Sequence, residues 1–282
     1  MNALEIRGLT KRRGDFALQG LDLTLPAGCI MGLIGENGAG KSTTIRLILN
    51  ALSRDGGTVA VYGKDNRALT PLEREDIGAV LDEVGLPEYL TAAQTGRMMA
   101  GIFARWQPEV YRDYLRRLAL PEDKPFRDFS RGMKMKLGLA AALSHQPKLL
   151  LLDEATSGLD PVVRDEILTI FADFTRDEEH AVLISSHIVS DLEKICDYIA
   201  FLHKGRMLLV EEKDALLDKY AVLSLSEADY AALPSGCVLR ALRAHGAVQT
   251  ITHREMLPAA LASAHTAIED IMLLLTKGDA VK

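Results

Sequence analysis

The chain has 282 residues, of which 48% are hydrophobic, so it is long and apolar enough to bury at least one large core. Its 39 acidic and 33 basic residues give a net charge of −6, which argues against a protein that must neutralise nucleic-acid phosphates. The three cysteines are far apart and suggest neither a disulfide framework nor a paired metal site, which fits a reducing cytosol. No run reaches the roughly 18 apolar residues of a membrane helix, and the N-terminus is unlike a secretory signal, so we expect a chain that does not itself cross a bilayer.

The N-terminal part of the chain contains strand-like segments around a glycine-rich loop. Leu21, Leu23 and Leu25 alternate with other residues at the period of a half-buried strand. Residues 4–6 and 58–62 are also strand-like, and together these segments predict an antiparallel β layer. The apolar run before the loop, residues 29–34, has the length of a buried strand. The apolar residues after the loop recur at the spacing of one helix face: Ile45, Ile48, Leu49 and Leu52.

The loop between that strand and that helix reads Gly-Glu-Asn-Gly-Ala-Gly-Lys-Ser, residues 35–42, which is the spacing of a phosphate-binding loop. Its glycines let the backbone wrap closely enough for successive N–H groups to face a phosphate chain. The helix N-terminus adds unpaired N–H groups and a partial positive charge. In this frame we expect Lys41 to reach the β- and γ-phosphates and the Ser42 hydroxyl to hold Mg²⁺.

From about residue 90 to residue 146 the composition changes to helix-forming Ala, Leu, Arg and Met, which predicts a helical insertion. A basic stretch in its second half is either a solvated face, which we favour, or a surface for anionic lipid head groups. The basic residues of this stretch are Lys124, Arg127, Arg131, Lys134 and Lys136.

Strand-like apolar runs return at residues 149–152 and 181–184, as expected for parallel strands covered on both faces. Two further runs, 198–202 and 207–210, flank His-Lys-Gly-Arg and predict a hairpin. Beyond about residue 213, short strand-like and helical segments predict a small C-terminal α/β module.

The run at 149–152 ends in two adjacent carboxylates, Asp153 and Glu154. Ligands bind at the C-terminal ends of such strands. In a chain that already has a phosphate loop, we expect Asp153 to hold Mg²⁺, directly or through water, and Glu154 to orient or deprotonate an attacking water.

With three further motifs, these residues resemble the family of ABC-type ATPases. Phe129-Ser130-Arg131-Gly132-Met133 is similar to that family's signature, Leu-Ser-Gly-Gly-Gln, and Ser157-Gly158-Leu159-Asp160-Pro161 is similar to its D-loop. His187, after the run at 181–184, matches its switch histidine. The order and spacing of these elements cover residues 1 to about 210.

The resemblance implies an α/β fold with a P-loop ABC ATPase core. We expect a nucleotide-binding domain over residues 1–213, made of a mixed sheet flanked by helices, an antiparallel β layer and a helical subdomain at about 86–146. Residues 214–282 would form the C-terminal module.

The resemblance also implies ATP and Mg²⁺ as cofactors and a pair of such domains that sandwiches two ATP molecules head to tail. Ser130 and the N–H of Gly132 would bind the γ-phosphate of the partner's nucleotide, within a signature in trans of Ser130, Arg131, Gly132 and Met133. His187 would touch the same phosphate and Glu154, and Asp160 belongs to the D-loop. The expected ATP-binding residues of the phosphate loop are Gly35, Asn37, Gly38, Ala39, Gly40, Lys41, Ser42 and Thr43.

The chain departs from the family's pattern at three places. Arg131 stands where the first signature glycine is usual, and Met133 replaces the glutamine; such relaxed signatures look like those of bacterial exporters with a separate membrane subunit. Asp82 occupies the position of the Q-loop glutamine, where it could bind the metal, with Glu83 as a substitute. The family stacks adenine on an aromatic residue near Arg13, and Arg13 or, as we favour, Phe16 could serve.

We therefore expect the ATP-hydrolysing subunit of an ABC transporter at the cytoplasmic face of the cell membrane, with a second ATPase subunit of the same or another kind. A separate transmembrane permease would dock its coupling helix near residues 82–105, where Phe103 and Trp106 are more plausibly core residues than anchors. The C-terminal run 267–273 looks like the ending of efflux-type subunits, which favours export of a peptide, drug or lipid. The alternatives are a soluble ABC ATPase acting on nucleic acid or ribosomes, which the acidic charge and single cassette disfavour, and a degenerate regulatory half of a heterodimer.

Overall fold

The computed structural model describes residues 1–244, 246–258, 261 and 266–280. The chain divides into two compact units, Met1–Met207 and Leu208–Lys282. The strands are, in chain order, β1 (Asn2–Arg13), β2 (Phe16–Pro26), β3 (Ile30–Ile34), β4 (Gly56–Val61), β5 (Lys64–Asp65), β6 (Ile77–Val80), β7 (Leu149–Asp153), β8 (Ala181–Ser186), β9 (Tyr198–His203), β10 (Arg206–Glu212), β11 (Tyr220–Leu225), β12 (Val238–Ala244), β13 (Ala247–His253) and β14 (Asp279–Ala280).

The described helices are short, and the longest has 14 residues. None of them is long and apolar enough to span a membrane. In chain order they are α1 (Lys41–Ile48), α2 (Pro71–Arg74), α3 (Ala92–Ala100), α4 (Pro108–Arg117), α5 (Arg131–Leu143), α6 (Pro161–Phe174), α7 (Val189–Ile195), α8 (Lys213–Lys219), α9 (Glu227–Ala231) and α10 (Ile268–Lys277), with 3-10 turns at Phe126–Asp128 and Arg254–Met256.

The predicted antiparallel layer is a four-stranded sheet in the order β2-β1-β4-β5. Leu21, Leu23 and Leu25 in β2 are all buried, as their alternation indicates. Strand β2 of this layer is in close contact with the turn between β9 and β10, which contains Gly205. A Cβ on Gly205, whose φ is +77°, would lie 1.9 Å from the Ala17 carbonyl oxygen, so only glycine fits this turn.

The central sheet has six strands in the order β10-β9-β3-β8-β7-β6. The pairs β9–β3, β3–β8, β8–β7 and β7–β6 are parallel. β3, β7 and β8 are buried along their whole length, which explains why they read as continuous apolar runs. Because these strands are parallel, the loops after β3, β7 and β8 leave the sheet at the same edge.

The predicted helical insertion consists of α3, α4 and α5, between β6 and β7. Thr91 begins α3 with a capping box, in which its side chain and that of Gln94 bond each other's backbone N–H. The Tyr111 hydroxyl of α4 donates to the Ala92 carbonyl, 2.9 Å away. The Tyr111 ring also lies against Gly96, where a Cβ would be only 2.6 Å from the ring, so a glycine allows the two helices to pack closely.

The second unit contains a four-stranded sheet in the order β11-β13-β12-β14, together with short helices. Ala221, Leu223, Cys237 and Leu257 form a buried apolar cluster in this unit. The unit therefore has a small core of its own. The run at 267–273, which resembles the ending of efflux-type subunits, lies almost entirely in α10, which begins at Ile268.

Candidate functional site

The phosphate-binding loop runs from the end of β3 into α1, and its glycines occupy positions where another residue would be strained or crowded. Gly38 and Gly40 have φ values of +81° and +115°. A Cβ on Gly40 would lie 2.6 Å from Leu18 Cδ2 and 2.8 Å from Phe16 Cζ, and one on Gly35 would lie 2.3 Å from a backbone oxygen. The loop is thus pressed against the antiparallel layer, and its backbone takes conformations that L side chains rarely adopt.

Lys41, the first residue of α1, is held inside the site with its side chain only 6% exposed. Its Nζ donates to the Gly35 carbonyl at 2.8 Å and lies 3.2 Å from Glu154 Oε1. A buried ammonium group needs such partners, and this one is aimed along the loop where a phosphate chain would lie.

The two carboxylates at the end of β7 have different surroundings. Asp153 is buried, and the Ser185 hydroxyl donates to its Oδ1 at 2.6 Å across the β7–β8 pair. Glu154 lies just beyond the strand in the left-handed region, with φ of +53°, and its N–H donates to the Ser185 carbonyl at 3.1 Å. Ser185 therefore fixes one carboxylate directly and the other through its backbone.

His187 lies beside Glu154 at the end of the neighbouring strand. Its Nδ1 is 2.6 Å from Glu154 Oε2, and the ring is half-exposed. Glu154 consequently bridges Lys41 and His187 through its two oxygens. This brings together three residues that are far apart in the sequence.

These residues surround a cleft of about 500 Å³. Its lining comprises Phe16, Glu36, Asn37, Gly38, Gly40, Lys41, Ser42, Thr43, Asp82, Arg131, Glu154, Ser157 and His187. Among the described residues that line it, Phe16 is present and Arg13 is not. Phe16 is therefore the better placed of the two candidates for stacking on a base.

The expected signature residues surround the start of α5. Ser130 is the N-cap residue, and its hydroxyl accepts a 3.3 Å hydrogen bond from the Met133 N–H. A Cβ on Gly132 would meet only ordinary contacts at 3.6 Å or more. The Arg131 side chain forms an ion pair within the same chain, with its Nη2 2.9 Å from Asp82 Oδ1. Ser130, Gly132 and Met133 do not line the cleft, whereas Arg131 and Asp82 do.

The D-loop residue Asp160 caps α6, where its carboxylate accepts from the N–H groups of Val162 and Val163. Behind it, Arg164 Nη2 donates to the Leu159 carbonyl, and its Nε lies 3.7 Å from the buried Asp191 Oδ2 of α7. No motif in the sequence points to Arg164 or Asp191. Only the polar end of the strand at 181–184 pointed toward Ser185.

A phosphate loop at a helix N-terminus, an acid-ending strand and a histidine on its second carboxylate define a P-loop ATPase. The comparisons with known proteins make the assignment specific. A family model described as ABC transporter matches residues 18–157.

Two curated relatives are similar over most of the chain. A bacitracin transport ATP-binding protein of Enterococcus faecalis is 33% identical over 212 residues, which cover 74% of this chain and 68% of the relative. A lantibiotic transport ATP-binding protein of Streptococcus pyogenes is 32% identical over 214 residues, which cover 75% and 91%. A solved structure described as an ATP binding subunit of an ABC transporter superposes with a TM-score of 0.69 at 27% identity, over 76% of this chain and 91% of that one.

The chain belongs to the family of ABC transporter ATP-binding proteins. The resemblance inferred from the motifs, the fold class and the ATPase activity are thereby confirmed. The chain binds ATP and is an ATP-hydrolysing subunit of an ABC transporter.

Proposed function

We propose that this chain powers export of a peptide, drug or lipid through a separate transmembrane permease, on the cytoplasmic face of the membrane. Export is supported by the two relatives, which are named for the transport of bacitracin and of a lantibiotic. The observation that carries the coupling to a permease is that one short loop, residues 81–86, borders both the ATP cleft and a largely apolar groove. Asp82 lines the cleft, and Leu81, Val84 and Leu86 line the groove. Such a loop can transmit a change at the nucleotide to whatever occupies the groove.

The groove has a volume of about 300 Å³ and lies among β6, α3 and α5. Phe103 lies in its lining and stacks on His145 with ring centroids 4.2 Å apart. Burial lowers the pKa of His145, which favours its neutral form, so the lining is apolar apart from this ring and Glu83. Trp106 does not line this groove but is buried and packs on Tyr111. The groove suits the coupling helix of a permease. Phe103 would contact that helix, whereas Trp106 belongs to the buried core.

The cleft residues divide the hydrolytic reaction among them. Lys41 holds the β- and γ-phosphates, and Glu154 orients the attacking water and accepts its proton, while His187 fixes the position of the Glu154 carboxylate. The oxygens of Ser42 and Asp153 are the ligands that Mg²⁺ prefers, and Mg²⁺ would supply charge neutralisation at the phosphates. Asp82, the third expected Mg²⁺ ligand, here has one carboxylate oxygen engaged by Arg131.

The signature residues suit a role toward a second ATPase subunit. Ser130 and the Gly132 N–H lie at the N-terminus of the 13-residue helix α5, which offers donors and a partial positive charge to a phosphate. Because they do not line their own chain's cleft, they are available to the nucleotide of another copy. Closure of the two copies around ATP would then place the signature and Asp160 at the shared interface.

The contacts of the basic stretch at residues 124–136 favour a solvated face over a lipid-binding surface. Within it, Lys136 lies 2.8 Å from Glu166, Arg127 lies 3.8 Å from Asp128, and Lys134 lies over the Phe126 ring. Charges that already have partners in the same chain contribute less to attraction by anionic head groups.

The permease contact is tested by site-specific photocrosslinking in membranes of the native host. A photoreactive amino acid at Val84, in the groove, should capture a multi-helix membrane protein. The same probe at Met256, which is exposed in the second unit, serves as the control and should not. Equal capture from both positions, or from neither, would contradict the groove assignment.

Pairing of ATPase subunits is tested by light scattering on the Glu154→Gln variant. With MgATP its mass should rise from 30.8 kDa to twice that value, and an added Ser130→Arg substitution should prevent the rise. A variant that stays monomeric at saturating ATP would refute pairing between identical copies.

A further inference from the structure

The charged side chains that line the cleft form two ion pairs and leave one further acid. Its charged side chains are Glu36, Lys41, Asp82, Arg131 and Glu154. Each of the two cations is paired with an acid, Lys41 with Glu154 at 3.2 Å and Arg131 with Asp82 at 2.9 Å. The remaining acid, Glu36, is largely exposed and lies 3.8 Å from His203 Nδ1. Without Arg131, one lysine would face three carboxylates in a cleft that receives a polyanion.

The Arg131–Asp82 pair joins two of the positions at which the sequence departs from the family's motifs. One departure introduces a negative charge beside the phosphates and the other introduces a positive charge, and the fold places them in contact although they are 49 residues apart. The signature and the Q-loop of the same chain are thereby connected by an ion pair. Their charges compensate each other.

The guanidinium is held from a second side by the D-loop. A Cβ on Gly158, whose φ is +69°, would lie 3.1 Å from Arg131 Nη1 and 3.3 Å from Cζ, so the guanidinium lies against the bare glycine backbone. Both partners of the ion pair are about half-exposed, at 55% and 52%, and exposed pairs contribute little to folding. The effect of this pair is therefore to be sought in the charge of the cleft rather than in stability.

We propose that Arg131 is a positioning residue for its own chain's nucleotide site: it neutralises Asp82 and holds it away from the phosphates. This goes beyond the role in trans that the signature position implies. It rests on the cleft being the ATP site. Asp82 can stand beside a polyanionic ligand because its charge is neutralised by Arg131. The acid at the Q-loop position and the arginine at the signature position therefore compensate each other.

The size of the effect follows from Coulomb's law in a screened solvent. Loss of Arg131 exposes one net negative charge within roughly a Debye length, about 10 Å at 0.1 M salt, of the several charges on the triphosphate. This weakens ATP binding by about three- to tenfold at low salt, and the effect disappears above about 0.5 M salt, where the screening length is much shorter.

The test is a charge cycle on ATP affinity, measured by calorimetry with the full chain in metal-free buffer, at a concentration where light scattering finds monomers. At low salt, Arg131→Gln should bind ATP about three- to tenfold more weakly. Asp82→Asn should bind as well as wild type or more tightly, and the double variant should return to within about twofold of wild type. Arg131→Lys, which keeps the charge, should stay near wild type.

Three results would overturn the proposal. Unchanged affinity in Arg131→Gln would restrict Arg131 to a role in trans. Weaker binding in both single variants would show that the pair acts by packing, and a loss that persists at high salt would exclude a charge effect. Lys41→Ala separates this failure from failure of the site itself, because retention of ATP binding by that variant would mean that the cleft is not the ATP site.

Discussion

Replacing Glu154 with glutamine should separate ATP binding from ATP hydrolysis in this chain. The substitution keeps the side chain's size but removes the carboxylate that would orient and deprotonate water. A positioned general base contributes about 10²- to 10⁴-fold to a rate, so turnover should fall by that factor. The contacts of the carboxylate with Lys41 and His187 lie within the site and not in the core, so folding should be largely preserved.

The same substitution should not weaken ATP binding, because Glu154 competes with the phosphates for Lys41. The Glu154 side chain is 14% exposed and lies 3.2 Å from the Lys41 Nζ. A hydrogen bond to a charged group contributes about 1.5–3 kcal/mol, and glutamine retains only part of it. Since about 1.4 kcal/mol corresponds to a factor of ten, ATP affinity should lie between unchanged and about tenfold tighter.

The assays are phosphate release at saturating MgATP and calorimetric titration with ATP. Glu36→Gln makes the same charge change at another residue that lines the cleft and should keep turnover within about threefold. Hydrolysis by Glu154→Gln at the wild-type rate would refute the assignment of the base. ATP binding weakened more than tenfold would refute the competition with Lys41.

Three further substitutions test the surroundings of the site. Gly40→Ala, at φ of +115° with a Cβ 2.6 Å from Leu18, should lower stability by about 1–3 kcal/mol and weaken ATP binding, as measured by urea unfolding and titration. Ser185→Ala leaves buried Asp153 without its 2.6 Å hydrogen bond, so stability should fall by about 1–3 kcal/mol and half-maximal hydrolysis should need more Mg²⁺. Burial lowers the pKa of His145 in the folded state, so on acidification the unfolded chain takes up this proton first. The contribution of neutral His145 to stability is therefore fully present above about pH 6.5 and declines as the pH falls below that value. Between pH 7.5 and 5.5, the urea midpoint of His145→Gln should fall less than that of wild type.

The controls for these variants come from matched positions. A Cβ on Gly85 meets nothing within 4 Å and needs no unusual backbone, so Gly85→Ala should leave both stability and ATP binding unchanged. Ser185→Thr keeps the hydroxyl and should need less added Mg²⁺ than Ser185→Ala. Loss of stability in Gly85→Ala equal to that in Gly40→Ala would show that the loop geometry is not the cause.

The parts of the fold that depend on local pattern were predictable from the sequence. The strand, loop and helix around residues 30–48 are contiguous, and each has its own period or composition. The acid-ending strand was predictable for the same reason, because a fully buried strand reads as an unbroken apolar run. The helical insertion followed from composition, although the bounds of α3, α4 and α5 depend on caps such as the Thr91 box.

The pairings that set the charge of the cleft were not predictable from the sequence. Lys41 meets Glu154, and Arg131 meets Asp82, only because parallel strands bring distant loops to one edge of the sheet. From the signature motif alone, Arg131 is expected at a surface that faces another subunit. Its contact with Asp82 depends on how α5 packs beside β6, which no local pattern encodes.

The choice between Arg13 and Phe16 depended in the same way on tertiary packing. The two residues pair across the β1–β2 turn, so their positions in sequence do not distinguish them. Only the approach of the antiparallel layer to the phosphate loop, which places Phe16 Cζ 2.8 Å from where a Gly40 Cβ would lie, assigns one of them to the cleft.

The most direct test of the central claim is to isolate the tagged chain from detergent-solubilised membranes of its native host and to identify what accompanies it by mass spectrometry. The proposed function predicts that a multi-helix membrane protein co-purifies with the chain in stoichiometric amount. That membrane protein should dissociate from the Glu154→Gln variant no faster than from the wild-type chain. Recovery only from the soluble fraction, together with ribosomes or nucleic acid, would contradict a role in transport.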